Sequence, residues 1–306
     1  MSTPKRDGEF SSIVIDTGVR TAQSVNARAL FSYVHAIGDL PALQAALQPP
    51  TELVLVARNE QEEQRARDIG ARVVRAPAFD LTRMDQVKMA TLLALSQQVL
   101  QPGDVFVFLT GVVEQGLDTA VVMRVGAEHE LFQTVGQPKL TEHIRRVVFE
   151  RALTLSLELA NEGREGKPLG ALFVIGDYRE VQKYCLPGRI NPFKGYTEKE
   201  RNILDDSMVE TLKELAKLDG AFILKGNGVV VSAGTILRPA LAGETLPPGL
   251  GSRHATAAAI TASTRSISIT ISQSTGNVRV WRRGMMITDI EPAWRRKHTT
   301  SGPPQI

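Results

Sequence analysis

Apolar positions in the first 126 residues alternate between short continuous runs and longer segments with helical spacing. The runs are typical of buried strands, and they occupy residues 11–18, 52–58, 71–77, 105–111 and 119–126. Helical spacing is found over residues 23–38, 60–69 and 83–100. Strands that alternate with helices predict a βαβ layer with a parallel sheet.

The second half of the chain has a different pattern, which includes hairpins. A stretch of weak periodicity at 129–140 marks the predicted boundary between domains at 1–130 and 141–290. Helices are predicted from an N-cap at Thr141 to Gly163 and over residues 200–218. Strands are predicted at 170–177, at 266–272, at 278–284, and as a hairpin over 221–234 with a type I′ turn at Asn227-Gly228. The expected fold class is therefore α/β, with a second, mixed sheet flanked by helices.

The composition excludes several classes of protein. The chain has 306 residues, of which 42% are hydrophobic and 23% are charged, as in soluble globular proteins. No apolar run reaches about 18 residues and the start has no apolar signal segment, so we predict neither a membrane span nor export. The single cysteine, Cys185, excludes an internal disulfide and fits a reducing compartment, so the expected location is the cytoplasm.

The charge pattern does not favour nucleic acid as a partner. A formal net charge of +3 is too small for that argument, and no DNA-binding module is visible. Basic residues gather late in the chain, and Arg279, Arg282 and Arg283 are interpreted as a solvated strand edge. The segment 291–306 is interpreted as a basic, flexible tail.

A glycine-containing segment before an Ala-rich helix has the features of a phosphate site. Gly249 and Gly251 allow close backbone approach, and Ser252 is suited to cap the helix. A helix start offers unpaired N–H groups and a positive dipole end. Arg253 and His254 fall in the first turn, where we expect both to face the same anion. The residues alone leave open an N-capped structural helix with a surface arginine.

Asp219 supplies a carboxylate between a predicted helix and a predicted strand. A lone Asp-Gly pair is usually a turn former. Beside a phosphate site, the same carboxylate can hold a divalent metal or orient an attacking hydroxyl. No second obvious carboxylate accompanies it, which predicts a metal held largely by the phosphates.

Six segments in order resemble the diadenylate cyclase domain, over roughly residues 143–284. They are GALFVIGD, GRINPFKGY, LDGAFIL, VVVSAGTIL, LGSRHATAAAIT and ITISQSTGNVRVWRRG. The resemblance implies an enzyme that joins two ATP molecules into cyclic di-AMP with Mn²⁺ or Mg²⁺. It also implies two facing domains that each hold one ATP, so a chain with one such domain is expected to form a homo-oligomer.

The resemblance further implies roles for single residues. Asp219 is expected to be the metal-linked carboxylate that prepares the ribose 3′-hydroxyl. Gly220 and Ala221 are expected to lie against the nucleotide, and Leu237 against adenine. The phosphate contacts are assigned to Gly251, Ser252, Arg253, His254 and Ser272. The catalytic set is Asp219, Arg253 and His254.

Two departures from the family pattern leave a second hypothesis open. Ala255 stands where many members have arginine, and Ser272-Gln273-Ser274 stands where Ser-Glu-Glu is common. One cation and two carboxylates are therefore lost. The alternative function is an ATP-binding sensor with weak or no turnover.

Residues 11–126 resemble the C-terminal regulatory domain of pyruvate kinase. The resemblance rests on TGVRTAQSVNARAL, ELVLVAR and PGDVFVFLTG. Thr17, Gly18 and Thr21 resemble a phosphate-binding loop at a helix start, with a simple strand–helix turn as the alternative. A regulatory, phosphorylated ligand of this domain is the resulting hypothesis.

Overall fold

The computed structural model describes residues 10–112, 116–126, 143–163, 169–186, 190–238 and 251–291. They belong to two compact units, which we call unit 1 (residues 1–137) and unit 2 (residues 138–306). Within the described ranges, no helix is long and apolar enough to cross a membrane. The segment 129–140, the predicted cap Thr141 and the tail from residue 292 onward lie outside the described residues.

Unit 1 is a five-stranded sheet with helices packed against it. Its helices are α1 (Ser11–Ser24), α2 (Leu40–Ala46), α3 (Glu60–Asp68) and α4 (Arg83–Ser96). Its strands are β1 (Ala29–Tyr33), β2 (Glu52–Ala57), β3 (Arg72–Arg75), β4 (Val105–Thr110) and β5 (Thr119–Arg124).

The strand order in unit 1 is β3-β2-β1-β4-β5. The first four strands are parallel, and β5 runs antiparallel to β4. This confirms the α/β fold class and corrects the expectation of a wholly parallel sheet at its β5 edge. Strands β2 and β3 therefore lie on one side of β1, and strands β4 and β5 lie on the other side.

The order of elements at the start of unit 1 was predicted wrongly. Residues 11–18 form the first half of α1, and residues 29–33 within the predicted helix 23–38 form β1. In α1 the buried residues Gly18, Val19 and Ala22 follow helical spacing, whereas all five residues of β1 are buried, as in a central parallel strand.

Gly18 lies inside α1 because that helix packs closely on β4. A Cβ atom at Gly18 would lie 2.4 Å from Leu109 Cδ2. The predicted phosphate-binding loop at Thr17, Gly18 and Thr21 is therefore wrong, since all three residues belong to the helix interior.

Unit 2 is a six-stranded mixed sheet between helices. Its helices are α5 (Arg146–Glu162), α6 (Tyr178–Val181), α7 (Met208–Leu215) and α8 (Ser252–Ser263). Its strands are β6 (Ala171–Ile175), β7 (Ala221–Leu224), β8 (Val230–Thr235), β9 (Ile267–Ile271), β10 (Val278–Arg282) and β11 (Met285–Ile290).

The sheet of unit 2 has the order β11-β10-β9-β6-β7-β8. Only β6 and β7 pair in parallel, and the other neighbours are antiparallel. Leu172, Val174, Ile223 and Trp281 pack against Ala257 and Ala258 of α8 in one buried cluster. The mixed-sheet prediction is confirmed, and α8 is thereby fixed on the sheet.

Three local predictions in unit 2 need correction. The helix predicted over 200–218 is limited to α7, and α5 begins at Arg146. The β7–β8 hairpin exists, but only Gly228 (φ 98°) has a positive φ among its turn residues. The Gly228 amide donates to Lys225 O at 3.0 Å. The hairpin therefore has a three-residue loop with a bulge instead of the predicted type I′ turn.

Candidate active site

Helix α8 begins at the segment that the sequence marked as a phosphate site. Gly251 is its N-cap residue, and its carbonyl oxygen accepts the amides of His254 and Ala255 at 3.0 and 3.2 Å. Ser252 is the first helical residue, so its predicted capping role is wrong by one position. The first turn of this 12-residue helix still directs its amide groups and positive dipole end to one place.

A pocket of about 400 Å³ opens beside this helix start. The start of α8, the end of β9, the loop after it and β10 provide its walls. The lining residues are Gly251, Ser252, Arg253, His254, Ile271, Ser272, Gln273, Ser274, Thr275 and Arg279. All five residues that were predicted to contact phosphate thus line one pocket.

Arg253 connects this pocket with the predicted metal-linked carboxylate. Its Nη2 atom lies 3.3 Å from Asp219 Oδ1, and its Nη1 atom donates to Gln273 Oε1 at 3.3 Å. The Asp219 side chain is 74% exposed, so this contact leaves the carboxylate open to solvent. Residues that are 34 positions apart in sequence are therefore neighbours at one site.

Two features of Arg253 indicate that its position is prepared by the fold. A Cβ atom at Gly170 would lie 2.8 Å from Arg253 Nη1 and 2.9 Å from Gln273 Cβ, so a side chain at position 170 would crowd the guanidinium. Arg253 Nε is buried and has no hydrogen-bond partner among the described residues. Because Arg253 lines the pocket, its guanidinium is suited to bind an anion there.

His254 was expected to face the same anion as Arg253, and it lines the pocket as a neutral side chain. Its Nε2 atom accepts a hydrogen bond from Arg279 Nη1 at 2.9 Å, because an arginine can only donate. Burial and the nearby Arg279 charge lower the pKa of His254 from 6.5 to about 4. The imidazole is therefore neutral at pH 7 and orients Arg279.

Arg279 is the pocket residue that the sequence interpretation missed. It was assigned to a solvated strand edge, but its side chain is only 13% exposed. Its Nε atom donates to Asp289 Oδ2 at 2.9 Å, and Asn277 Nδ2 donates to the other carboxylate oxygen at 2.9 Å. The second positive charge of the pocket thus comes from β10. Arg282 is buried as well, so the solvated-edge interpretation also fails there.

The remaining predicted residues occupy two different environments. Ser272 lies in the pocket wall, where its Oγ atom accepts the Thr275 amide at 3.2 Å. Ala221 and Leu237 are buried in the cluster against α8. Gly220 (φ 123°) lies against the opposite strand, where a Cβ atom would be 2.5 Å from the Gly234 carbonyl carbon. Nucleotide contacts at these three positions stay predictions.

The donor set around Asp219 bears on the implied divalent metal. The described residues contain no group of three or more His, Cys, Asp or Glu side chains placed to hold a metal ion. A single exposed carboxylate fits a metal only when the nucleotide phosphates supply most of the other oxygen ligands. Asp219 meets that limited requirement.

Both units match known protein families. Residues 158–286 match the family described as "DisA bacterial checkpoint controller nucleotide-binding". Residues 12–134 match the family described as "Probable sensor domain DacZ_P". The two matched segments follow one another along the chain and leave only short stretches unmatched.

Two curated proteins named "Diadenylate cyclase" are similar over most of the chain. The protein from Haloferax volcanii is 33% identical over 211 residues, which cover 68% of this chain and 76% of that protein. The protein from Methanocaldococcus jannaschii is 37% identical over 209 residues, which cover 65% of this chain and 64% of that protein. The crystal structure of DacA from Staphylococcus aureus matches 47% of this chain and 87% of its own, at 20% identity and a TM-score of 0.35.

Proposed function

Because this chain belongs to the diadenylate cyclase family of nucleotidyltransferases, we propose that it condenses two ATP molecules into cyclic di-AMP. In this reaction each ribose 3′-hydroxyl attacks the α-phosphorus of the other ATP and loses its proton. Two phosphodiester bonds form, and two pyrophosphates leave. ATP is therefore the substrate that the pocket of unit 2 has to hold.

The contact between Arg253 and Asp219 carries this proposal. The arginine lies in the wall of the 400 Å³ pocket, and its Nη2 atom is 3.3 Å from the carboxylate. Arg253, which is suited to bind phosphate, is therefore next to Asp219, which is suited to orient a hydroxyl. Phosphoryl transfer consists mainly of such positioning and of charge stabilisation.

We assign phosphate binding to the pocket wall. Arg253 and Arg279 supply two positive charges, and the start of α8 and the Ser272 hydroxyl supply hydrogen-bond donors. His254 is a positioning residue, because its neutral ring accepts from Arg279 at 2.9 Å. Since these donors are already in place, little reorganisation is needed when negative charge develops at the phosphates.

Asp219 acts at the open side of the site. Its exposed carboxylate orients the attacking 3′-hydroxyl and accepts its proton. A divalent cation, Mn²⁺ or Mg²⁺, would neutralise phosphate charge when bound there. Each chain has one such site, so we propose that two chains associate with their sites facing each other.

We also propose a division of labour between the units. Unit 2 performs the reaction, and unit 1, which matches the described sensor family, regulates it. The pyruvate kinase resemblance of unit 1 stays a prediction.

The test is product formation by the purified chain with ATP and Mg²⁺ or Mn²⁺. We expect cyclic di-AMP and pyrophosphate in a 1:2 ratio, as the reaction requires. Asp219→Asn should abolish the product and leave ATP binding intact, whereas Glu210→Gln, an exposed carboxylate on α7, should change neither. Binding of ATP without product under either metal would instead support the sensor hypothesis.

A further inference from the structure

Unit 1 contains a cluster of buried polar atoms that the cyclase reaction does not use. Tyr33 Oη, His35 Nδ1 and Arg58 Nε are buried and have no hydrogen-bond partner among the described residues. Folded proteins pair nearly all buried polar atoms, so a group of three requires a reason. We call Tyr33, His35, Arg58 and Glu62 the edge cluster.

The edge cluster is held in place from two sides. Glu62 accepts the Arg58 amide at 2.8 Å and Arg58 Nη2 at 3.1 Å, so the guanidinium cannot turn freely. The Tyr33 ring packs edge-on against His35 and Phe108, with centroid distances of 5.5 and 6.2 Å. His35 Nδ1 remains 4.0 Å from Glu62 Oε1, beyond hydrogen-bond distance.

The cluster lies where open α/β sheets bind ligands. Tyr33 ends β1 and Arg58 directly follows β2, so both are at the carboxyl edge of the parallel strands. Strand order reverses at β1, between β2 and β4. Ligands of such sheets enter the crevice at the carboxyl edge beside this reversal. The His35 and Arg58 side chains are 21% and 20% exposed, so the buried unpaired atoms lie just below the surface.

The unpaired atoms define the chemistry of an occupant. Burial raises the pKa of the Tyr33 phenol, and burial together with Arg58 lowers the pKa of His35, so both are neutral at pH 7. The phenol, the imidazole and Arg58 Nε–H can all donate. Glu62 already offsets the Arg58 charge, and Asp80 adds a negative charge near His35. These two carboxylates repel a phosphate dianion more strongly than a monoanionic carboxylate, so the attraction has to come from the three hydrogen-bond donors.

From these observations we propose that the edge cluster of unit 1 binds the carboxylate group of a small metabolite. The carboxylate oxygens accept from Tyr33 Oη–H, from Arg58 Nε–H and from the His35 imidazole. This site replaces the phosphate loop that the sequence suggested at α1. It is independent of the chemistry proposed for unit 2.

The test uses the full chain with acetate, pyruvate and inorganic phosphate as probes at millimolar concentration. Calorimetric titration and the unfolding temperature are read for the wild type, Tyr33→Phe and Tyr196→Phe. Tyr33→Phe keeps the ring packing and removes only the hydroxyl, and Tyr196 is an exposed tyrosine of unit 2. We expect a carboxylate well above its dissociation constant to raise the unfolding temperature of unit 1 by about 3 °C.

The outcomes separate cleanly. Binding of a carboxylate by the wild type and Tyr196→Phe, with at least about a tenfold loss in Tyr33→Phe, supports the site. Equal binding by all three proteins, binding of phosphate alone, or no binding of either carboxylate overturns it. In the last case ordered water occupies the cluster.

Discussion

In both units a histidine lies next to an arginine, and that arginine pairs with a carboxylate. The two groups differ in the hydrogen bonds that they make. The three residues are His254, Arg279 and Asp289 in unit 2, and His35, Arg58 and Glu62 in unit 1. In both places burial and the arginine lower the pKa of the histidine.

The difference lies in which hydrogen bonds are already made. In unit 2 the histidine accepts from the arginine at 2.9 Å, and the arginine faces a pocket. In unit 1 the histidine and the arginine each keep a buried nitrogen without a partner among the described residues. The neutral histidine of unit 2 thus orients the charge of Arg279. The neutral histidine of unit 1 keeps a ring nitrogen without a hydrogen-bond partner among the described residues.

Among the changes that test this comparison, the largest effect is expected when the group of His254, Arg279 and Asp289 in unit 2 is disrupted. Arg279→Ala should lower the rate of cyclic di-AMP formation by about 10²-fold, because a preorganised charge at the phosphates is lost. Arg279→Lys should recover part of the rate, since lysine keeps the charge but not the planar fork. Initial rates at saturating ATP measure both, with Arg179→Ala on α6 as the exposed control. An unchanged rate in Arg279→Ala would show that Arg279 does not stabilise the phosphates during the reaction.

The second largest effect is expected in the free energy of unfolding, which should depend on pH because of His254. Its folded pKa of about 4 lies below the unfolded value of 6.5, so the unfolded chain binds the proton first. Stability from this residue is complete above pH 6.5 and is lost as the pH falls towards 4, by at most about 3 kcal/mol.

Denaturant unfolding across this pH range, in the wild type and in His254→Gln, isolates that contribution. His35 has the same direction of shift, so the wild-type slope contains both residues and only the difference reports His254. His143→Gln, an exposed histidine, is the control and should keep the wild-type slope. Parallel slopes in all three proteins would contradict a buried neutral His254.

A smaller effect is expected when the carboxylate of the edge cluster is changed. Glu62→Gln should destabilise unit 1 by about 2 kcal/mol, because the partly buried Arg58 charge loses its counter-charge. Amide hydrogen exchange read by mass spectrometry reports the two units separately, and β1 and β2 should exchange faster. Exposed Glu60 on the same helix provides the control Glu60→Gln. Unchanged amide protection in β1 and β2 would contradict a stabilising pair between Arg58 and Glu62.

The smallest effect is expected at Tyr33. Without ligand, Tyr33→Phe should change the free energy of unfolding by less than about 1 kcal/mol, since the lost hydroxyl has no partner. Thr51→Val should cost about 1 kcal/mol, because the Thr51 hydroxyl donates to Ala27 O at 2.8 Å. The same exchange measurement compares them. A larger loss for Tyr33→Phe would show that its hydroxyl is already bonded.

The sequence predicted those parts of the fold whose pattern is local. β2, β3, β4, β6 and the Ala-rich α8 appear where apolar runs or helical spacing predicted them. The start of unit 1 failed because a short apolar run such as residues 11–18 fits a buried strand as well as one face of a helix. The contact of Gly18 with Leu109, which decides between them, joins distant parts of the chain.

The site shows the same limit. Asp219 and Arg253 were predicted together and lie 3.3 Å apart, although their roles remain predictions. Arg279 was missed because its position depends on Asp289, and β11, which carries Asp289, was not predicted. Residue type alone cannot show that an arginine in a strand faces a pocket.

The close approach of Gly220 to Gly234 affects how tolerance to mutation should be interpreted at this site. A methyl group at Gly220 would lie 2.5 Å from the Gly234 carbonyl carbon, and Gly220 directly follows Asp219. Any side chain there would meet this backbone and force a shift next to Asp219, before any contact with a nucleotide is considered. In a saturation screen for activity, an intolerant position 220 would therefore report backbone shape, and the chemical requirement would be read at position 219.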